Sequence, residues 1–313
     1  MSGVFRGGPV HVRVPATSAN LGPGYDTLGL ALSWYDDVVA RIADDGLVID
    51  IAGEGESVAR DETHLVVRAM RSTFDRLGSR PPGLELSCAN RIPHGRGLGS
   101  SAAAIVSGVA LARALVVGGD DRLPDDEAFA LAAELEGHPD NVAACWYGGL
   151  TVAWTDGGTA RAARTEVRAD IHPVALVPPF ESSTAAARGV LPAVVPHADA
   201  AFTGARTALL VSVLSGAGPL DALLAATADR LHQTYRAASM PLTSGLVEDL
   251  RAQGLPAVIS GAGPTVLVLA RDHVEVEQIA AAVPAGWRCE ALLVDSAGAH
   301  LVPAPRSDGA AEL

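Results

Sequence analysis

The sequence predicts a fold of mixed α-helices and β-strands that is large enough for two lobes. Alternating apolar residues typical of strands recur along the chain, and stretches with helical apolar spacing lie between them. A glycine-rich loop joins one predicted strand to one predicted helix near the middle of the first half. With 313 residues and 49% hydrophobic content, the chain can bury a large core, as one domain or two lobes.

Strand and turn signals dominate the first fifty residues. Residues 10–14 alternate between apolar and polar side chains and predict an edge strand that ends at Pro15. Residues 15–26 are rich in turn-forming residues and predict a loop. The run Asp44-Asp45-Gly46 is a hairpin turn signal, so two paired strands are expected within residues 38–51.

The later elements are predicted from apolar periodicity and from helix-ending residues. Gly137, for example, ends a helix that begins after Pro124, and a Ser/Thr cluster starts another helix near residue 182. The predicted helices are residues 62–77, 100–117, 123–136, 181–188, 203–214 and 220–227, followed by one that carries residues 232–236. The predicted strands are residues 84–88, 150–154, 174–177, 257–260 and 265–269.

The glycine-rich loop is the most informative segment of the chain. Gly95, Gly97 and Gly99 occupy alternate positions after a predicted strand, and Ser100 and Ser101 then open a helix of small residues. Glycines let several backbone N–H groups point in one direction, and a helix start adds unpaired N–H groups with a partial positive charge. The segment therefore predicts a phosphate-binding site.

Three better-known nucleotide motifs are excluded. A P-loop needs a lysine after its second glycine, and this chain contains no lysine. The glycine spacing also differs from that of the dinucleotide fingerprint, and no acidic residue follows at the required distance. The combined lysine, His-Arg-Asp and Asp-Phe-Gly set of protein kinases is missing.

Charge and cysteine content limit the possible partners and compartments. The net charge is −13, from 36 acidic and 23 basic residues, which disfavours nucleic acid and anionic membranes as partners. Three cysteines without metal-ligand spacing predict core thiols in a reducing compartment. We find neither a signal segment nor an apolar run of the roughly 20 residues that a membrane helix needs, so a cytoplasmic protein is expected.

Four segments together resemble one family. Residues 93–103 resemble the central motif of the GHMP kinases, the superfamily of galactokinase, homoserine kinase, mevalonate kinase and phosphomevalonate kinase. Residues 17–26 and 136–143 resemble two signatures of homoserine kinases of an actinobacterial kind, with Tyr25 where phenylalanine is usual. Residues 260–264 resemble the third superfamily motif. The same pentapeptide at residues 215–219 lies between two predicted helices, so we interpret it as a chain break.

The resemblance implies an α+β fold of the two-lobed GHMP kinase type. Residues 10–165 would form an N-terminal ATP-binding lobe like ribosomal protein S5 domain 2, and residues 166–303 a ferredoxin-like C-terminal lobe, with the active site between them. It further implies a cytoplasmic homodimer that uses ATP and Mg²⁺ to phosphorylate the side-chain hydroxyl of L-homoserine in threonine biosynthesis. Its partner would be this small-molecule substrate, and binding to nucleic acid or to a membrane is not expected.

Site residues are implied by matching this chain to the family motifs. Mg²⁺ would be held by Ser101 and Glu136, with Ser100 and Glu134 as alternatives. Recognition of adenine is expected around residues 64–68. The residues expected to bind ATP are Ile92, Pro93, His94, Gly95, Arg96, Gly97, Leu98, Gly99, Ser100, Ser101 and Ala102.

The charges of homoserine suggest how the remaining residues would act. Arginine binds a carboxylate with two hydrogen bonds, which suits Arg188 and Arg236, whereas an ammonium needs oxygen acceptors. Asn141 would orient the reacting hydroxyl, and Asp140 remains possible as a base. The expected substrate-binding residues are Asn20, Asp26, Asp140, Asn141, Thr184, Arg188, Arg236 and Gly261.

Two other functions stay open from the sequence. One is a GHMP kinase that acts on a different alcohol, such as a sugar or a mevalonate-pathway compound. Such substrates lack an ammonium, so Asn20 and Asp26 would have no partner. The other is a nucleotide-binding protein without activity, against which the intact Ser101, Glu136 and Asp140-Asn141 argue.

Overall fold

A computed structural model describes residues 4–303, in which eleven strands form two sheets. The strands are β1 (Val10–Asn20), β2 (Gly24–Ala43), β3 (Gly46–Gly53), β4 (Gly83–Asn90), β5 (Leu150–Asp156), β6 (Thr159–Thr165), β7 (His172–Val177), β8 (Ala257–Ile259), β9 (Val266–Ala270), β10 (Arg288–Ala291) and β11 (His300–Leu301). The helices are α1 (Leu65–Arg76), α2 (Ser100–Leu115), α3 (Gly119–Arg122), α4 (Asp125–Glu136), α5 (Asp140–Tyr147), α6 (Thr184–Gly189), α7 (His197–Leu214), α8 (Leu223–Ala226), α9 (Gln233–Arg236), α10 (Pro241–Ala252) and α11 (His273–Ala281).

The seven-stranded sheet has the order β11-β1-β2-β4-β3, with β5 pairing β2 and β6. The hairpin predicted around Asp44-Asp45-Gly46 is wrong, because β4 lies between β2 and β3 and pairs in parallel with β3. A local turn sequence reverses the chain but does not decide which strand takes the adjacent place. Here β4, delivered by α1, takes it, with Leu84, Leu86 and Cys88 facing the core.

The predicted end of the first strand at Pro15 and the predicted loop over residues 15–26 are also wrong. Strand β1 runs on to Asn20, and a register shift between Pro15 and Ala16 accommodates the proline. Only Leu21, Gly22 and Pro23 separate β1 from β2. Asn20, Leu21 and Asp26 have left-handed φ angles of 68°, 50° and 52°. This strained turn presents two of the predicted substrate-binding residues.

One helix stands at the centre of the first half of the molecule. Helix α2 is buried around most of its circumference, between β1 and the helices α1, α4 and α5. Gly108 permits the close approach of α1, because a Cβ there would lie 2.4 Å from the Val66 carbonyl oxygen. The predicted glycine stop is confirmed for α4, whose C-cap Gly137 has a left-handed φ of 88°. Helix α2 is therefore fixed by packing around most of its circumference.

The four-stranded sheet has the order β10-β7-β9-β8 and is antiparallel throughout. One face of β7 and β9 packs with α10 and α11, whereas the other joins the main core of the molecule. Strand β11 returns to the first sheet and pairs with β1 at Val12 and Arg13. The division at residue 165 stays a prediction.

An ion-pair cluster around Asp37 and three free cysteines are further features of the fold. On β2, the Asp37 carboxylate contacts His11 and Arg13 of β1 and Arg91 at the end of β4. Cys88 and Cys145 are buried and Cys289 is half-buried, and all three are free, as predicted. Burial raises the pKa of Cys88 to about 12. None of the helices between residues 4 and 303 combines the length and apolar character that crossing a bilayer requires.

Candidate active site

Six segments meet at one cavity of about 190 Å³. They are the β1–β2 turn, the glycine loop, the α4–α5 connection, the α6 region, α9 and the β8–β9 hairpin. The predicted residues that line the cavity are Asn20, Asp26, Gly95, Arg96, Gly97, Gly99, Ser100, Ser101, Glu136, Asp140, Asn141, Arg188, Arg236 and Gly261. The cavity thus brings together residues that are distant in the chain, such as Asn20 and Gly261, which are 241 positions apart and share a hydrogen bond.

Some predicted residues take other positions. Ile92, Pro93, Leu98 and Ala102 are buried beneath the glycine loop, so they support it. His94 lines a neighbouring cavity instead. Thr184 begins α6, but its side chain lies outside the described residues. The other copy of the pentapeptide, at residues 215–219, is interpreted as a chain break. Within the described part of the chain it does not line the cavity, as predicted.

The glycine loop packs closely against the β8–β9 hairpin. Gly95, Gly97 and Gly99 all have left-handed φ angles, between 64° and 75°. A Cβ on Gly97 would lie 2.3 Å from the Ser260 carbonyl oxygen of the β8–β9 hairpin. The loop leads directly into α2, whose first residues, Ser100 and Ser101, line the cavity. An anion in the cavity therefore meets the N-terminus of a sixteen-residue helix.

A serine and a glutamate form a second group beside the helix start. Ser101 Oγ donates to Glu136 Oε1 at 2.5 Å, although the two residues lie on different helices. The Glu136 side chain is only 8% exposed, and burial raises the pKa of its carboxyl. Glu134 instead lines a groove on the other side of α4. Ser101 and Glu136 therefore present two neighbouring side-chain oxygens to the cavity.

Asp140 and Asn141 begin α5 and are fixed by specific contacts. Asp140 is 2% exposed, and its Oδ1 accepts the Asn141 N–H at 2.8 Å and lies 3.0 Å from His138 Nδ1. This contact with Asp140 raises the pKa of His138. Asn141 Oδ1 accepts a hydrogen bond from Thr17 Oγ1 at 2.8 Å. Because the oxygen is used in this way, the amide nitrogen Nδ2 is the end that Asn141 offers to the cavity.

Arg188 makes an ion pair across the cavity. Its guanidinium donates to both oxygens of Asp26, at 2.6 and 2.9 Å, and to the Tyr25 hydroxyl at 3.0 Å. Hydrogen bonding to Asp26 raises the pKa of Arg188. Asn20 Oδ1 accepts the Asp26 N–H, while Asn20 Nδ2 donates to the Gly261 carbonyl. Asn20 therefore ties the strained turn to the opposite hairpin.

Arg236 is a buried cation that has only neutral partners. It is 1% exposed, and it donates to the carbonyl oxygens of Ala187 and Gly261 at 3.0 and 3.3 Å. Its Nη1 also lies 3.0 Å from His232 Nδ1, which must accept because arginine carries only donors. Among residues 4–303, no carboxylate lies within 4.0 Å of this guanidinium. Burial lowers the pKa of Arg236, so an anion in the cavity would be strongly favoured.

A second, more apolar cavity of about 170 Å³ adjoins the start of α2. It shares Ser100 and Ser101 with the first cavity, and Val38, Val58 and Ala104 contribute to its wall. His64 lies at its edge, where burial lowers the pKa of the imidazole. His64 Nδ1 is buried without a hydrogen-bond partner among the described residues. A flat, polar-edged group could therefore bind here with its ring against apolar side chains.

Three polar residues at the site were missed from the sequence. Thr17 is fully buried and orients Asn141, and His138 and Ser182 line the cavity. Thr17 and His138 both lie inside the matched signatures, which was the available signal. Ser182 carried none, because its position depends on a backbone bond from its N–H to the Gly95 carbonyl.

Comparisons with known proteins place this chain within one family. Residues 64–149 match the family described as "GHMP kinases N terminal domain", and residues 205–289 match "GHMP kinases C terminal". A homoserine kinase of Streptomyces avermitilis is 57% identical over 96% of this chain and 97% of its own length. One of Clavibacter michiganensis is 49% identical over 95% of both chains. The crystal structure of a homoserine kinase from Cytophaga hutchinsonii has a TM-score of 0.81 at 24% identity, covering 94% of this chain and 97% of that chain.

Proposed function

The chain belongs to the homoserine kinases within the GHMP kinase family, and from this we infer that it phosphorylates the side-chain hydroxyl of L-homoserine with ATP. The product would be O-phospho-L-homoserine, an intermediate of threonine biosynthesis. One observation carries the assignment of this substrate to this cavity. Buried Arg236 lacks a carboxylate partner among the described residues and faces the same cavity as the phosphate-binding helix start.

The cavity offers complementary groups to each end of an amino acid. Arg236 and Arg188 would bind the carboxylate of the substrate. Arg188 would then give up part of its hydrogen bonding to Asp26. The Asp26 carboxylate would then accept the ammonium, with Asn20 Oδ1 beside it. The Asp26–Arg188 ion pair therefore matches a zwitterion charge for charge. A neutral sugar would break this pair without replacing either charge.

The phosphates would bind at the glycine loop and the N-terminus of α2. Two side-chain oxygens beside the start of α2 fit Mg²⁺, an ion that binds one or two protein oxygens and completes its octahedral coordination with phosphates and water. Ser101 Oγ and Glu136 Oε1 are such oxygens, and their contact of 2.5 Å supports their acting together. When bound, the ion would supply charge neutralisation for the phosphates. This chain contains no lysine that could share that task.

Asn141 would orient the reacting hydroxyl through its amide nitrogen. The bond from Thr17 supports this orientation, because it occupies the amide oxygen. Asp140 would hold His138 and the start of α5, since its Oδ1 has two close nitrogen partners. Asp140 as a base remains a weaker alternative. Phosphoryl transfer through a loose transition state depends mainly on positioning and charge neutralisation, so a strong base is not required.

The adenine ring would lie in the second cavity. Its apolar walls suit the faces of the ring. His64 Nδ1, which has no hydrogen-bond partner within residues 4–303, suits a hydrogen bond to the ring edge. This refines the expectation that residues 64–68 recognise adenine.

We further propose a cytoplasmic homodimer, as the family resemblance implies.

The direct test is ADP production by the purified protein with Mg-ATP and L-homoserine. Mevalonate, galactose, L-serine and L-threonine serve as parallel acceptors. We expect strong turnover with L-homoserine and at most a few per cent of it with the others. Turnover with mevalonate or galactose instead would overturn the assignments of Asp26, Arg188 and Arg236. No turnover with any acceptor would favour a nucleotide-binding protein without activity.

A further inference from the structure

Tyr25 lies close to both of the arginines that face the cavity. The carbon at the centre of the Arg188 guanidinium lies 5.6 Å from the centroid of the Tyr25 ring, and that of Arg236 lies 5.5 Å from it. Both distances are within the range of about 6 Å in which a cation is attracted to an aromatic ring. The Tyr25 hydroxyl also accepts a hydrogen bond from Arg188 at 3.0 Å. Two like charges thus converge on one aromatic side chain.

The Tyr25 ring also packs against His232. His232 lies 5.2 Å from the Tyr25 ring, and its Nε2 is 2.6 Å from the Gly22 carbonyl oxygen. Because His232 Nδ1 accepts from Arg236, Nε2 carries the proton and donates to Gly22. Burial lowers the pKa of His232, which agrees with a neutral imidazole. The ring of Tyr25 therefore has a rigid support that is shared with Arg236.

Arg188 donates to two acceptors of different charge, the neutral Tyr25 hydroxyl and the Asp26 carboxylate. Asp26 is charged, and under the proposed function it has to turn toward the substrate ammonium. Arg188 then loses part of its bidentate partner just when the substrate carboxylate arrives. Burial and the nearby Asp26 carboxylate raise the pKa of Tyr25, so its hydroxyl stays neutral. A neutral acceptor holds the guanidinium in place without competing for its charge.

We propose that Tyr25 is a positioning residue that holds Arg188 and Arg236 together for the carboxylate of the substrate, an inference that rests on the proposed function. Tyr25 does not line the cavity within the described residues, so it acts through the two arginines. It determines specificity for an acceptor that carries a carboxylate.

The test compares Tyr25→Phe and Tyr25→Leu with the wild type on three acceptors. L-Homoserine carries both charges, 4-hydroxybutanoate keeps only the carboxylate, and 3-aminopropan-1-ol keeps only the ammonium. Tyr25→Phe removes one hydrogen bond, so KM for L-homoserine and 4-hydroxybutanoate should rise about threefold to tenfold. Tyr25→Leu also removes the ring and should raise these KM values by about another tenfold. For both variants, kcat with L-homoserine and KM for ATP should stay within about twofold of wild type.

The third acceptor separates positioning from a structural role. Because 3-aminopropan-1-ol has no carboxylate, its kcat/KM should be unchanged in both variants. Tyr147→Phe is the matched control, since this ring packs on Phe129 and does not line the cavity within the described residues. An equal loss on all three acceptors, or an unchanged KM for L-homoserine in Tyr25→Leu, would overturn the inference.

Calorimetry distinguishes failure of the inference from failure of the proposed function. Wild-type protein that neither binds nor phosphorylates L-homoserine would overturn the proposed function, and the inference with it. Wild-type protein that does both, while the two Tyr25 variants bind L-homoserine equally well, would overturn the inference alone. We expect the variants to bind L-homoserine more weakly by the same factors as the rise in KM.

Discussion

Replacing Asn141 by alanine should lower kcat far more than it raises KM for L-homoserine. Its oxygen is occupied by Thr17, so the residue contributes the two N–H donors of its amide to the cavity. Removing one preorganised donor from a water-excluded site typically costs about 2.7–4 kcal/mol in the transition state. We therefore expect kcat to fall by about 10²- to 10³-fold, with KM for L-homoserine changed by less than about threefold.

Two further variants show which property of the amide matters. Asn141→Asp keeps an oxygen that can accept from Thr17 but replaces the donors by a charged acceptor. If the site needs a donor, this variant should be as slow as the alanine variant. Thr17→Val removes the bond that orients the amide, worth about 0.5–1.5 kcal/mol, so kcat should fall about threefold to tenfold.

The assay is steady-state ADP release at saturating Mg-ATP with L-homoserine varied. Unfolding in urea checks that each variant remains folded. The reasoning would be refuted if Asn141→Asp kept or exceeded wild-type kcat, since that would identify a base at this position. Equal changes in kcat and KM for Asn141→Ala would also refute it, because they would indicate a different role for the side chain.

Four other changes test separate parts of the structure. Arg236→Met should lower kcat/KM for L-homoserine by about 10²- to 10⁴-fold in steady-state kinetics, because losing one partner of a buried charge pair costs about 3–5 kcal/mol. Equal loss with 3-aminopropan-1-ol would instead indicate damage to the fold. Glu136→Gln should raise the Mg²⁺ concentration that gives half-maximal rate by at least roughly tenfold, since even outer contacts of metal ligands are worth that much; an unchanged Mg²⁺ titration would exclude this ligand. Gly97→Ala should lower the free energy of unfolding in urea by at least about 2 kcal/mol more than Gly118→Ala. Both glycines have a left-handed φ, but only at position 97 would a Cβ meet a backbone oxygen, and equal losses would contradict the close contact. Burial acts to raise the pKa of Asp37, but its hydrogen bonds to three basic side chains outweigh this effect and lower the pKa. The stability that Asp37 contributes is therefore present above the ordinary aspartate pKa and is lost as pH falls. The difference in unfolding free energy between wild type and Asp37→Asn should be about 1 kcal/mol smaller at pH 3 than at pH 7, and a difference that grows on acidification would contradict the ion cluster.

Elements that depend on local signals were predicted well from the sequence. Helix α4 begins near Pro124 and ends at Gly137 because the proline and the left-handed glycine act within one turn. The strand–glycine loop–helix segment was predicted in the same way, since the glycines require positive φ angles that few other residues adopt.

The incorrect predictions concern competition between distant segments. The turn at Asp44-Asp45-Gly46 is present, but β4, which lies about 40 residues further on, takes the place beside β2. Pro15 is tolerated inside β1 because a register shift spares the ladder at that position. Neither outcome can be derived from propensities, which describe only neighbouring residues.

For the candidate site, too, local motifs could be recognised in the sequence, whereas contacts between distant residues could not. Motifs identified Asn20, Asp26, Asp140 and Asn141 because those residues lie within short signatures. The ion pair between Asp26 and Arg188 joins residues 162 positions apart, and the bond from Thr17 to Asn141 joins residues 124 apart. Such pairs depend on the packing of whole elements, so only the structure could reveal that Asn141 offers its nitrogen and that Arg236 lacks a carboxylate among the described residues.

The identity of the phosphorylated product is the most direct test of the central claim. ³¹P NMR of a reaction with Mg-ATP and L-homoserine follows both the nucleotide and any new phosphate ester. The account predicts a phosphomonoester signal that matches authentic O-phospho-L-homoserine and grows in a one-to-one ratio with ADP. Formation of ADP with inorganic phosphate alone, or no change in ATP, would contradict the proposal that this cavity directs the phosphoryl group to the homoserine hydroxyl.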